Sequence, residues 1–361
     1  MTIMKRRIIS LALLACASVQ GTYAQTHDNS VKTFTPRVAT TSPGALTTSN
    51  SIITTQYFDG LGRPWQTVQQ GTSPGGGDLV TLQEYDGYGR DSRSWLPVVT
   101  VSGNGGASVT ASAIPALSSA TYGDSKAYTL PVYEASPLNR VLEQYGAGAS
   151  WQDNGKAVKT EYLSNDTTQM LSCRWYRTTD SRGTVSLSLT ADSLIYPHNR
   201  LYVVRQTDEE DHVSLQFTDM QGRTLLTRQM DGSKQHDTYY IYDSYGNLRA
   251  VLPPLAADAL AEAGNWTEQD ATLAAYAYLY KYDNRNRMEY KKLPGCGWTR
   301  LVYDRADRLV ATMDAEQADK SPRECNFTLY DDMNPGDAGD KRLYGFRNFA
   351  LFLPVADRSV A

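Results

Sequence analysis

The chain's four histidines, His27, His198, His212 and His236, lie in unrelated contexts. None has the His-x-x-x-His or His-Glu spacing that brings two ligands to one metal. The acidic run Asp208-Glu209-Glu210-Asp211 offers carboxylate oxygens to calcium but lacks the alternating Asp-x-Asp-x-Asp-Gly loop that wraps the ion, so it reads as a solvated hairpin tip. Glycines 75–77 and 103–106 lack the lysine and helix onset of a phosphate-binding loop and read as plain loops. Cys173, Cys296 and Cys325 have no Cys-x-x-Cys spacing and read as small apolar side chains, without a disulfide framework. Paired carboxylates of a glycoside hydrolase stay open, because their separation of roughly 5–10 Å is a tertiary property. The rings of Trp65, Trp95, Trp151, Trp175, Trp266, Trp298 and the 24 tyrosines could stack on sugars, so surface glycans are a partner class to consider. With no catalytic, cofactor-binding or metal-binding residue assigned, the chain reads as non-enzymatic.

The remaining aspartates follow a pattern. Tyr57-Phe58-Asp59-Gly60-Leu61-Gly62-Arg63 returns as Tyr85-Asp86-Gly87-Tyr88-Gly89-Arg90, Phe217-Thr218-Asp219-Met220-Gln221-Gly222-Arg223 and Tyr242-Asp243-Ser244-Tyr245-Gly246-Asn247. Two weaker copies are Tyr282-Asp283-Asn284-Arg285-Asn286-Arg287 and Tyr303-Asp304-Arg305-Ala306-Asp307-Arg308. The first Asp of each copy is expected to cap a turn through its carboxylate, and the residue three later to take positive φ. Gly62, Gly89, Gly222 and Gly246 do so without steric cost, and Asn286 and Asp307 belong to the types that tolerate it best. Ser136-Pro137-Leu138-Asn139-Arg140 is a disguised copy, with Ser136 capping and Asn139 left-handed.

Such chemistry must be carried by hairpins. Alternating runs such as Tyr278–Tyr282 and Arg308–Thr312 flank the turns, and Pro97, Pro253 and Pro294 follow where a strand has to stop. The fold expected is all-β: repeated antiparallel hairpins forming a curved or spiralling sheet, with one short helical insertion.

These copies resemble the YD-repeat (RHS-repeat) family over about residues 50–331. More narrowly, Tyr57–Pro97 with Tyr133–Val141 and Thr160-Glu161-Tyr162 resembles the N-terminal domain of RHS-repeat proteins exported by Bacteroidota. The resemblance implies a segment of shell wall that encloses or delivers a C-terminal polypeptide, commonly a toxin. Its partner would be the remainder of that shell or a separately encoded C-terminal part. The rival reading is a cell-surface carbohydrate-binding or adhesion module.

Composition agrees with a folded, exported chain. Of 361 residues 41% are hydrophobic, and Tyr outnumbers Phe 24 to 7, a bias that suits half-wet sheet faces. Lys and Arg total 35 against 39 Asp and Glu, so no positive field gathers a nucleic-acid backbone. Lys5, Arg6 and Arg7 precede the apolar run Ile8–Ala15, and Thr22-Tyr23-Ala24 offers a cleavage site, which reads as a secretory signal peptide. The alternative is a lipid anchor at Cys16. No later stretch reaches the roughly 20 apolar residues of a membrane-spanning helix. Cleavage after Ala24 leaves 32 cations against 39 anions, net −7, in a secreted or cell-surface protein.

The expected organisation is signal peptide 1–24, flexible lead 25–50, N-terminal β domain 51–204, hairpins 205–331 with a helical insert at 253–276, and an atypical truncated tail 332–361. Within it, 102–128 reads as a loop or loose strands. Strands near 160–163, 171–178 and 183–191 could form a small antiparallel sheet. The tail completes no further strand-turn-strand unit, which would leave the unit around Val302–Thr312 with an open edge.

Overall fold

The computed structural model describes residues 29–350 apart from 38, 40–45, 180, 182, 329 and 331–346, and describes 347–350 as backbone. Residues 1–24, Cys16 and most of the tail lie outside the described residues. The chain divides into two compact units between Val158 and Lys159.

The first unit holds β1 (Asn29–Pro36), β2 (Ser51–Phe58), β3 (Pro64–Gln69), β4 (Leu79–Tyr85), β5 (Asp91–Trp95), β6 (Val98–Val99), α1 (Ile114–Tyr122), β7 (Tyr128–Tyr133), β8 (Val141–Tyr145) and α2 (Ala149–Asp153). Every strand pair is antiparallel, running β1–β2–β3–β4 and β4–β5–β7–β8, with β6 also on β4. Alternation sorts the faces: Ser51, Ile53, Thr55 and Tyr57 of β2 point inward and are buried. Tyr57, Val68, Val80, Leu82, Trp95 and Val98 form the core together with Ile114 from α1. Complete burial of one such aliphatic side chain contributes about 1.5–3 kcal/mol.

Two expectations are corrected here. The lead 25–50 is not wholly flexible: all eight residues of β1 pair with β2, although every one is exposed. Backbone hydrogen bonds hold this strand, which a reading of apolar burial does not register. The segment 102–128 contains α1, opened by Pro115 in its first turn and stopped by Gly123 at φ 70°.

The second unit is built on one antiparallel meander, with β9 (Ala157–Ser164) pairing it from Lys159 onward. It runs through β12 (Tyr202–Thr207), β13 (Val213–Thr218), β14 (Thr224–Asp231), β15 (Lys234–Tyr242), β16 (Leu248–Leu252), β18 (Tyr278–Tyr282), β19 (Met288–Lys292), β20 (Trp298–Tyr303), β21 (Leu309–Met313), β22 (Glu324–Phe327) and β23 (Arg347–Ala350). Beside it lies a small sheet of β10 (Arg177–Thr178), β11 (Ser186–Leu189) and β17 (Gly264–Thr267). The insert after Pro253 holds α3 (Pro254–Ala259), β17 and α4 (Ala271–Tyr276), while α5 (Ala315–Asp319) links β21 to β22. Leu187 and Leu189 of the small sheet and Ala256, Leu260 and Leu273 of the insert pack on Leu215, Phe217, Leu226, Tyr239 and Ile241 of the meander, which makes a two-layer core.

Here too the sequence reading needs correction. Residues 160–163 pair with β12 in the meander rather than in the small sheet, so 159–204 belong with the hairpins and the boundary falls at 158 instead of 204. The third strand of the small sheet comes from the insert. The tail does supply a strand: β23 pairs with all four residues of β22, and β22 in turn covers β21, so the edge expected at 302–312 is occupied. Among the described residues no helix is long and apolar enough to cross a membrane.

Candidate functional site

Five Asp turns share one geometry. At Asp59 the Gly62 N–H donates to the Asp59 carbonyl at 3.0 Å, and the Asp59 N–H donates to the Arg63 carbonyl at 2.9 Å. Asp59 Oδ1 accepts the N–H groups of Leu61 and Arg63, both at 2.9 Å, and Oδ2 accepts Arg63 Nε at 2.8 Å. This is a type I turn followed by a left-handed bulge residue, whose twist suits a hairpin. The pattern recurs at Asp86, Asp219, Asp283 and Asp304, with Arg90, Arg223, Arg287 and Arg308 as the cations. The residue three places on has positive φ in all five and in the Asp243 copy: 79° at Gly62, 81° at Gly89 and Gly222, 83° at Gly246, 59° at Asn286 and 61° at Asp307.

Three copies vary the parts. Asp243 caps its turn in the same way, but Asn247 stands in the arginine's place, and buried Arg249 brings a cation to 3.6 Å from Asp243 Oδ2. In the 136 copy Asn139 is left-handed at φ 55° and Ser136 Oγ accepts the Leu138 N–H. The carboxylate, however, is Glu134, which accepts Arg140 Nε and Nη2 at 2.9 and 2.7 Å. The run 208–211 is itself a copy. Asp208 accepts the N–H groups of Glu210 and His212, Asp211 is left-handed at φ 66°, and His212 Nδ1 lies 2.9 Å from Asp208 Oδ2. Its Asp-x-x-Asp spacing, shared with Asp304-x-x-Asp307, is the signal that the calcium comparison obscured.

The arginine is the part a single-copy reading misses, because its partners lie in the next copy. The guanidiniums of Arg63, Arg90, Arg223, Arg287 and Arg308 lie 4.1, 4.3, 5.2, 4.9 and 4.9 Å from the rings of Tyr85, Tyr133, Tyr242, Tyr303 and Tyr330. Most of these tyrosines also donate their hydroxyl back to the residue after the arginine. Tyr85 reaches the Pro64 carbonyl at 2.8 Å, Tyr133 that of Asp91 at 3.0 Å, Tyr303 that of Met288 at 2.9 Å and Tyr330 that of Leu309 at 2.9 Å. Tyr282 does the same to Leu248 at 3.0 Å, beside Asn247. The cation also touches the next left-handed residue: Arg63 donates to the Gly89 carbonyl, Arg90 to Asn139 Oδ1 and Arg287 to Asp307 Oδ1. Asn139 and Asp307 therefore serve twice, adopting positive φ and accepting the preceding copy's arginine.

Electrostatics follow from this saturation. The Arg63 N–H is the largest of the donors that hold Asp59 below the ordinary carboxylate range, and the Arg308 N–H does the same for Asp304. At Asp86, Asp219 and Asp283 burial is the largest single influence and pushes upward, but backbone and guanidinium donors together outweigh it. The Arg140 guanidinium lowers Glu134 to about 2. Carboxylates so engaged are turn locks, poorly suited to taking up a proton from a substrate.

Elsewhere chemistry is sparse. Among the described residues no three His, Cys, Asp or Glu groups gather as a metal site requires. A cleft of about 490 Å³ in the second unit is lined by Trp175, Tyr196, Arg177 and Asp243. Trp175 stacks on Tyr196 at 4.9 Å and carries Arg177 at 4.2 Å, and Trp95 is buried, so neither offers an open ring face to a sugar. Cys173 and Cys325 are buried and Cys296 is exposed, and all three are free thiols.

Residues 32–164 match the model of a family described as Domain of unknown function (DUF6443). No curated protein matches the chain. Among solved structures, the crystal structure of TcdB2-TccC3-TEV aligns over 92% of this chain and 14% of its own, with 14% identity and a TM-score of 0.50. TcdB2-TccC3 without its hypervariable C-terminal region aligns over 89% and 14%, at 14% identity and TM-score 0.49. The Photorhabdus luminescens Tc holotoxin pore aligns over 84% and 13%, at 15% identity and TM-score 0.49. The chain thus spans 14% of the length of the first of these. The coupled antiparallel hairpins of this chain make an RHS-like fold.

Proposed function

We propose that the chain is a structural, non-enzymatic segment of an exported RHS-type shell, which encloses or delivers a C-terminal polypeptide together with the remainder of that shell. The observation that carries this reading is the turn lock joined to the next copy by arginine and tyrosine. Its carboxylates are consumed in closing the turns and fixing the arginines that hold hairpins side by side, which is what a wall requires and a catalytic cleft does not. The likeness in fold to TcdB2-TccC3 supports the toxin-associated part. Membership of the YD-repeat family, the Bacteroidota source and export rest on the motifs and on residues 1–24.

Co-expression with the polypeptide encoded directly downstream, followed by limited proteolysis, tests the reading. Protection of that polypeptide only in the presence of this chain is expected. Cleavage at the same rate with and without the chain would overturn it.

A further inference from the structure

β1 lies at the rim of the first unit's sheet, and its outer edge is open. Among the described residues it pairs with β2 alone, and all eight of its residues are exposed, so neither of its faces is covered. The register says which main-chain groups that edge presents. Arg37, next after β1, donates its N–H to the Asn50 carbonyl at 2.8 Å, and on the other side of β2 the Ile53 carbonyl accepts the Gln70 N–H at 2.9 Å. Bonded pairs alternate along an antiparallel ladder. Val31, Thr33 and Thr35 therefore bond to β2, while Ser30, Lys32, Phe34 and Pro36 turn their main chain outward. No bulge interrupts this edge, and Lys32 is the one charged residue of the strand.

We infer that this edge pairs with the same edge of a second molecule, antiparallel about a two-fold axis, independently of the shell reading. Outward-facing residues must then meet outward-facing residues, so the axis passes through a residue of β1. Centred on Lys32, the pairing sets two lysines directly opposite, which destabilises a sheet. Centred on Val31 it carries Phe34 and Pro36 past the end of the partner strand, and centred on Phe34 it does the same to Ser30. Centred on Thr33, every outward residue finds another: Lys32 stands opposite Phe34 and Ser30 opposite Pro36, on both sides of the axis. Lys32 and Phe34 then exchange both of their main-chain bonds, and the Ser30 N–H reaches the Pro36 carbonyl, which needs nothing from the N–H that proline lacks. Each lysine also faces a phenylalanine ring of the other molecule, the two side-chain types that already lie 5.7 Å apart within β1. An edge that is its own complement in this way points to a second copy of the chain as its occupant.

A contact of this kind falls at the small end of protein interfaces, below about 1,200 Å², so the association is weak and is read at high concentration. Sedimentation velocity of the full chain should show a concentration-dependent monomer–dimer equilibrium. Lys32→Pro removes an outward N–H and none that bonds to β2, so it should abolish the dimer and leave the melting midpoint in place. Oxidation reads the register separately, in a Cys16→Ser/Cys296→Ser background. The two Thr33 Cα atoms would lie about 4.5 Å apart, within disulfide reach, and the two Val31 Cα atoms about 14 Å. Thr33→Cys should therefore give at least about tenfold more covalent dimer than Val31→Cys. The inference is overturned if the chain stays monomeric, if Lys32→Pro dimerises like the parent, or if Val31→Cys crosslinks as well as Thr33→Cys. Coupling of Thr33→Cys to the polypeptide encoded directly downstream, in place of itself, would assign the edge to the remainder of the shell and would equally overturn it.

Discussion

The two units each bury a carboxylate to pin a loop to a sheet, and they solve its charge in different ways. In the first, Asp78 is fully buried and, among the described residues, has no salt-bridge partner. Its oxygens accept the N–H groups of Gly71, Asn104 and Gly106 at 2.8, 3.0 and 2.9 Å. In the second, Asp237 meets the fork of Arg228 through two bonds of 2.7 Å and also accepts the Tyr239 hydroxyl. Arg228 then donates to the Gln169 and Met170 carbonyls. Backbone donors are fixed once the loops close, whereas a guanidinium must itself be desolvated. The first device depends on the main chain around one anion, and the second stakes two charges on each other.

The largest expected effect separates these designs. Asp237→Ala strands Arg228 as an uncompensated buried cation and should lower stability by about 3–5 kcal/mol in urea denaturation. Replacing both by apolar residues, Arg228→Met with Asp237→Leu, should recover most of the loss; no recovery would mean that the link to residues 169–170 matters more than the charge. Asp78→Asn should cost less, about 1–3 kcal/mol, because one amide N–H must face a backbone N–H that has lost its acceptor. A loss equal to that of Asp237→Ala would erase the distinction.

The turns allow finer tests within the second unit. A Cβ at position 222 meets nothing within 4 Å, so Gly222→Val reports chiefly the φ of +81°, with an expected loss of roughly 1–3 kcal/mol. An unshifted melting midpoint would remove the strain argument. Tyr303→Phe keeps the ring under Arg287 and deletes only the bond to Met288, for an expected cost of about 0.5–1.5 kcal/mol.

The smallest effect concerns pH and has opposite signs in two copies. Glu134 is held at about 2 against an ordinary 4.5, so its contribution is complete above pH 4.5 and is lost as pH falls toward 2. His212 is raised above 6.5, chiefly by its bond to Asp208, so its contribution is complete below pH 6.5 and disappears as pH rises through the elevated value. An NMR titration of His212 should give a midpoint above 6.5 that returns toward it in Asp208→Asn. A midpoint unchanged by that substitution would detach the histidine from the turn.

What could be read from the sequence follows the range of each interaction. Asp-x-x-Gly turns are legible because every bond that makes them lies within five residues, and the alternation of β2 is legible because burial has period two. Arg63, Arg90 and Arg287 appear in the motif, but their work is done against Tyr85, Tyr133 and Tyr303 of the following copy, which no local pattern displays. Glu134 was hidden because two extra residues separate it from its arginine. β1 escaped because it buries nothing, and α1 because its signals, Pro115 and Gly123, sit in a stretch with few apolar positions.

The tyrosine latch has a polarity. Each ring reaches backward to the copy already made, from Tyr85 to Pro64 or from Tyr303 to Met288, so a hairpin is finished by its successor and not by itself. Where the chain folds from its N-terminus onward, every turn therefore waits for the next Tyr-Asp before its guanidinium is covered. Assembly proceeds as a ratchet in which each click secures the tooth before it, and a copy lost from the middle would leave its predecessor uncovered while its own successor still folds.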